Sequence, residues 1–229
     1  MTMPFYAPPE QMMKDKADYA RKGIARGRSL VAFCYREGIA IVAENNSSTL
    51  RKVSEIYDRI AFAGVGRYNE FDQLRIAGVR HADLKGFAFS REDVDARSLA
   101  NAYAQSLGHV FTHELKPMEV EILVAEVGLA ADGSGDQMFH ILYDGTVADE
   151  SDRVVLGGET EELAERFDET LPPQPRSLAD GFRAAVAVLA GPDRTLSAAS
   201  LEAAVLDRGN GRRAFRRLTH EEVTAVLET

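Results

Sequence analysis

One cysteine in 229 residues rules out an internal disulfide framework and fits a reducing compartment. That residue, Cys34, stands in the apolar run LVAFCY, where a free cysteine reads as a small buried hydrophobe rather than a nucleophile. Tryptophan is absent and aromatic residues make up 8%, so the basic run near the N-terminus has no stacking platform beside it for a nucleic acid. No apolar run approaches the roughly 20 residues that cross a bilayer. The opening MTMPFYAPPEQ has no basic segment followed by an apolar stretch, the pattern of a secretory leader. Only His109 and His113 show ligand-like i, i+4 spacing, and no third ligand accompanies them. The expectation is therefore a cytoplasmic chain with no metal, no cofactor, no membrane and no nucleic acid as partner.

What is present describes one sizeable globular domain: 45% apolar and 28% charged residues, with no repeat and no low-complexity tract. The net charge of −9 conceals an asymmetry. Residues 14–28 carry six Lys or Arg against two Asp, whereas residues 149–169 carry nine Asp or Glu against two Arg. A basic helix of this kind reads as a solvated face or a subunit contact.

Pro8, Pro9, Glu10 and Gln11 form a helix start, with proline in the first turn and an acid at the positive end of the dipole. The helix is expected to run to about Gly23 or Gly27. SLVAFCY and GIAIVAE, joined by REG, read as one antiparallel pair. LRKVSEI and RIAFAGV read as a second pair around Tyr57-Asp58, continuing the same sheet. Two helices follow: one places Phe71, Leu74 and Ala77 or Gly78 on one face, the next Leu99, Tyr103, Leu107 and Val110 or Phe111.

VEILVAEVG, QMFHILY and TVADE return as strands of a second sheet, the last two flanking Asp144-Gly145, a dipeptide that favours a type I′ hairpin. A second helix pair after Gly157-Gly158 has Ser177 as a cap, and a closing strand pair leads to a short helix with a capping box from Thr219 to Glu222. Short connections make the sheets antiparallel, and strands apolar on both faces must be covered twice. The economical fold is an α+β, four-layer αββα sandwich, two antiparallel sheets between helix pairs.

ADYARKGIARGRSLVAFCYREGIAIVAENN, RKVSEIYDRIAFAGVGRYNEFDQLR, ANAYAQSLG, KPMEVEILVAEV, LYDGTVADE and LEAAVLDRGNGRRAFRRLT occur in this order along nearly the whole chain. Together they resemble the α subunits of the proteasome, in their actinobacterial form. The resemblance implies the sandwich of the N-terminal nucleophile hydrolases, in which sister β subunits expose an N-terminal threonine whose own amine serves as base. The β pattern Gly-Thr-Thr before VAL aligns with Gly27, Arg28 and Ser29 before VAF, so Arg28 takes the position of the β-subunit nucleophile. The β acid and lysine fall at Glu44, for which a strand-end charge or ion pair is the favoured reading, and at Lys52.

The same resemblance implies that no residue here is catalytic. Lys52, Gly64 and Asp18 would form the pocket for an activator's C-terminus: an ammonium for the terminal carboxylate, a glycine for close approach, and an acid on the opposing helix. Residues 1–8 would be a flexible gate, formed by Met3, Pro4, Phe5, Tyr6, Ala7 and Pro8, ahead of a single domain over 9–229 whose helix spans 9–27. The implied partners are six further copies in a homo-heptameric α ring, proteasome β subunits in an α-β-β-α stack, a ring-shaped AAA ATPase activator, and pupylated unfolded substrates. The competing expectation is an active N-terminal nucleophile hydrolase or β-type peptidase processed at Ser29.

Overall fold

The computed structural model describes residues 8–228. Helix α1 (Pro9–Ile24) opens with Pro8 as N-cap, Pro9 at its first position and Glu10 in its first turn, and it closes on Arg21 and Lys22, the charge order its dipole favours. It stops three residues short of Gly27, whose amide donates to the Ile24 carbonyl at 2.8 Å. Strands β1 (Leu30–Tyr35) and β2 (Gly38–Glu44) form the first hairpin, and β3 (Val53–Tyr57) and β4 (Ile60–Gly66) the second, turning at Asp58-Arg59. Helices α2 (Tyr68–Ala88) and α3 (Ala96–His113) follow, then β5 (Val120–Glu126), β6 (Gln137–Ile141), β7 (Val147–Glu150) and β8 (Arg153–Leu156). The chain ends with α4 (Thr160–Thr170), α5 (Leu178–Ala190), β9 (Leu201–Asp207), β10 (Phe215–Arg217) and α6 (His220–Glu228).

The two N-terminal hairpins do not share a sheet. One five-stranded sheet has the order β10-β9-β2-β1-β8 and the other β3-β4-β5-β6-β7, with every pairing antiparallel. The residues between β2 and β3 cross from the first sheet to the second, so β1 and β2 find their outer neighbours in β8 and β9, far along the chain. Local hairpin signals specify who turns back on whom; lateral neighbours are chosen by burial. Strand β8 was not expected: RVVL is only four residues long and was assigned no element.

The 142–146 connection also departs from the expected type I′ turn, which needs positive φ at both central residues. Gly145 has φ +88, but Asp144 does not have positive φ; Gly145 N donates to Leu142 O at 2.9 Å, and Leu142 N to Thr146 O at 2.9 Å. This is the longer hairpin loop with glycine alone in the left-handed region. The Ser177 cap, accepting from Asp180 N, and the Thr219–Glu222 capping box form as expected.

Strand alternation explains why the strands are apolar throughout. Leu30, Ala32 and Cys34 face the space between the sheets, and Val31, Phe33 and Tyr35 face α4 and α5. On the second sheet Ala61, Ala63, Leu123 and Ala125 point inward, while Phe62, Ile122 and Val124 lie under α2 and α3. The layers are thus α4/α5, sheet, sheet, α2/α3. Helix α1 belongs to neither outer layer: Ala20 and Ile24 are buried in the core between the sheets. Ile24→Ala is expected to cost about 3 kcal/mol through lost burial and the cavity left behind, read as a lower urea midpoint. An unchanged midpoint would mean that α1 is not held in that core.

Candidate functional site

The connection from α1 to β1 carries Arg28 and Ser29 to the head of the first sheet. Around it lies a cleft of about 450 Å³ whose lining includes Arg28, Ser29, Glu44, Leu163, Arg166 and Arg194. Ser29 is already part of the ladder: its carbonyl accepts from Glu44 N at 3.2 Å, and its hydroxyl donates to Gly158 O at 3.4 Å. Its nitrogen is in peptide linkage to Arg28, so a free amine of the kind an N-terminal nucleophile uses as its base would arise only from cleavage after Arg28. Cys34 is buried between the sheets, and burial, ahead of nearby Asp136 and Asp152, pushes its thiol up to about 12. It has little thiolate at neutral pH.

Glu44 is 5% exposed and fully occupied by cations. Arg194 spans both of its oxygens at 3.2 and 3.3 Å, and Arg28 approaches at 3.3 Å. The ion-pair reading of Glu44 is what the structure contains. Arg194 also donates to the Ala190 and Leu189 carbonyls, so the carboxylate is anchored to the C-terminal end of α5.

Lys52 sits just before β3, half-buried, with its Nζ donating to the Arg28 carbonyl. Its backbone is held on both sides. Gly64 N donates to Lys52 O at 3.0 Å, and Lys52 N donates to the Glu202 carboxylate at 2.9 Å. Burial pushes the ammonium down to about 8; Glu202 and Glu44 oppose that shift and Arg28 adds to it.

Gly64 is therefore next to Lys52 through the backbone. The side where its Cβ would stand faces α2, however, where Phe71 Cγ would lie only 2.7 Å away. Asp18 lies on α1 and pairs with Arg21 at 3.4 Å, about half exposed. Among the described residues Asp18 makes no hydrogen bond or ion pair with Lys52. Pro8 is the exposed cap of α1; Met3, Pro4, Phe5, Tyr6 and Ala7 lie outside the described residues. The histidines of the i, i+4 pair stack on each other at 4.4 Å on α3, and among the described residues no group of three or more His, Cys, Asp or Glu is placed to hold a metal. No helix among them is long and apolar enough to cross a membrane.

Glu202 escaped the sequence reading. The available signal was a carboxylate one position into LEAAVLD, on the face that Ala204 and Leu206 turn toward the second sheet. Arg194 gave no signal, lying in a turn-like segment.

Two antiparallel five-stranded sheets between helix layers, with the acid and lysine positions both reaching Arg28 at the head of β1, define the N-terminal nucleophile hydrolase class of sandwich. A family model described as "Proteasome subunit" matches residues 24–195. The chain is 59% identical to the proteasome subunit alpha of Acidimicrobium ferrooxidans, over 99% of this chain and 97% of that one. It is 58% identical to the corresponding subunit of Sanguibacter keddieii, covering 95% and 86%, and 54% identical to that of Thermobifida fusca, covering 100% and 92%. The chain belongs to the proteasome subunit family, among its alpha subunits of actinobacterial type.

Proposed function

We propose that the chain is a non-catalytic, gating subunit of a bacterial proteasome core particle. The observation that carries this reading is the packing of α1 into the core between the sheets, through Ala20 and Ile24, directly ahead of β1. A helix seated in the core resists removal, Arg28 stands at the head of the strand where the β sisters have threonine, and Lys52 donates to the Arg28 carbonyl. The two charged positions persist as structure without the chemistry they would support.

Seven copies form a closed cyclic ring that stacks on rings of catalytic β subunits. Helix α1 offers Met12, Met13 and Tyr19 as exposed apolar groups among its charges, which suits a contact between neighbouring copies. Residues 1–8 act as the gate ahead of the 9–229 domain. Lys52, with Gly64 beside it and Asp18 supplied from a neighbour's α1, receives the C-terminal carboxylate of a ring-shaped AAA ATPase. Docking there biases the gate open, a coupling between two sites. The substrates are unfolded pupylated proteins, the compartment is the cytoplasm, and neither nucleic acid nor membrane takes part.

The test is coexpression with the cognate β subunit, followed by hydrolysis of a small fluorogenic peptide. Deleting residues 1–8 is expected to raise the rate several-fold, because an open pore removes the barrier to entry. An unchanged rate would remove the gate from the proposal.

A further inference from the structure

We propose that Glu202 is the positioning residue of Lys52: its carboxylate, reaching across from the other sheet, holds the lysine's backbone where the chain enters β3. The functional meaning of this rests on the docking reading of Lys52; the geometry stands without it.

Glu202 is 3% exposed, on the inward face of β9, yet it reaches across to the other sheet. One oxygen accepts from Asn45 Nδ2 at 2.7 Å and from Lys52 N at 2.9 Å. The other accepts from Val53 N at 3.2 Å and from the Arg217 guanidinium. Arg217 in turn donates to Val53 O at 2.6 Å. Two of those four donors are consecutive amides where the chain enters β3, so the carboxylate fixes where the Lys52 backbone sits.

The charges around Lys52 come from every element packed there. Glu202 faces it from β9, Glu44 from β2 and Arg28 from the α1–β1 connection; Arg217 on β10 and Arg194 after α5 are spent on the two carboxylates. With burial acting against the ammonium, Glu202 is the larger of the two negative influences that sustain it. An amine that must meet a carboxylate has to be both placed and charged, and one side chain does both.

The experiment measures the pH dependence of Lys52 acylation by a limiting amount of reagent, resolved by peptide mass spectrometry on the full chain, with the other lysines as internal references. Glu202→Gln keeps the shape and removes the charge. Its Lys52 midpoint is expected to fall by about half a pH unit or more, with the midpoints of Lys14 and Lys22 unchanged. Glu202→Asp keeps the charge and shortens the reach: it is expected to hold the midpoint nearer that of the natural chain while speeding hydrogen exchange at the Lys52 and Val53 amides. It also serves if Glu202→Gln does not fold. If neither variant alters Lys52 titration or amide exchange, the proposal is overturned.

A second arm uses particles assembled with β subunits and a synthetic peptide ending in the activator's C-terminal residues, beside its carboxamide twin. Glu202→Gln is expected to loosen the free-acid peptide about tenfold and to leave the weak carboxamide unchanged. If Lys52→Ala binds the peptide as the natural chain does while Glu202→Gln still moves the titration, the docking reading fails and the positioning role stands. If Lys52→Ala abolishes binding but Glu202→Gln moves neither titration nor binding, the positioning role fails and docking stands.

Discussion

Gly66→Ala is expected to leave little folded chain. Gly66 ends β4 with φ +106, a backbone conformation that side chains with a Cβ rarely adopt, costing about 1–3 kcal/mol by itself. The added carbon would also collide with the Glu119 carbonyl oxygen and come within 3.1 Å of Val120 Cα. That carbonyl has no room to yield, because it accepts from Arg67 N at 2.9 Å where the chain turns from β4 into α2. The other side is closed as well: a Cβ on Gly27 would lie 2.9 Å from Gly66 N, so the α1–β1 connection rests on this strand end. Strain and collision together are expected to exceed about 4 kcal/mol, a large part of the 5–15 kcal/mol that hold a typical domain together.

Gly211→Ala separates the two causes. Gly211 has φ +69 with open space around its missing Cβ, so only conformational strain of about 1 kcal/mol is expected there. Urea midpoints and soluble yields of the two variants make the comparison, and equal small losses would remove steric closure at Gly66 as the reason for its glycine.

Lys52→Ala, in particles assembled with β subunits, is expected to reduce ATPase-stimulated protein degradation by more than about tenfold, since truncating one member of a desolvated charge pair costs about 2–5 kcal/mol. Stimulation that survives the substitution would refute the docking role. The natural particle carries a pH signature of its own. The folded-state value of Lys52, about 8, lies below the ordinary 10.5. Stimulation is therefore expected below pH 8, where the ammonium is present, and to fade as pH rises through that value.

The sign for stability is opposite. The native chain binds this proton more weakly than the unfolded one does, so burying the ammonium costs stability below about pH 8, and the cost disappears as pH approaches 10.5. Lys52→Met, which keeps length without charge, is accordingly expected to melt no lower than the natural chain at pH 7. A residue whose removal spares or aids stability while abolishing stimulation is there for binding.

Nearly every element was legible from residue patterns: α1 from its prolines and first-turn acid, α5 from Ser177, α6 from Thr219 and Glu222, and the hairpins from their polar breaks. These signals are short-range, and each states how neighbours in sequence arrange themselves. RVVL gave too short a run to register as β8, and Asp144-Gly145 suggested a tighter turn than the one formed, because Thr146 and Leu142 close a wider loop. At the site, Arg28, Ser29, Glu44 and Lys52 could be nominated, since their motifs stand in known order. Their partners Arg194, Arg217 and Glu202 could not: Arg194 lies 150 residues from Glu44, Glu202 lies 150 from Lys52, and Arg217 reaches the Val53 carbonyl from 164 residues away.

The amino-acid order alone determined the layered sandwich: strands apolar on both faces must be covered on both faces, and alternating hairpins and helix pairs leave few ways to do that. Only the tertiary structure decided that the two N-terminal hairpins part company, that α1 enters the space between the sheets, and that Lys52 is gripped by a carboxylate from the opposite sheet. Those outcomes depend on which buried surfaces and charges meet across the fold, and that is a property of the packed chain rather than of any stretch of it.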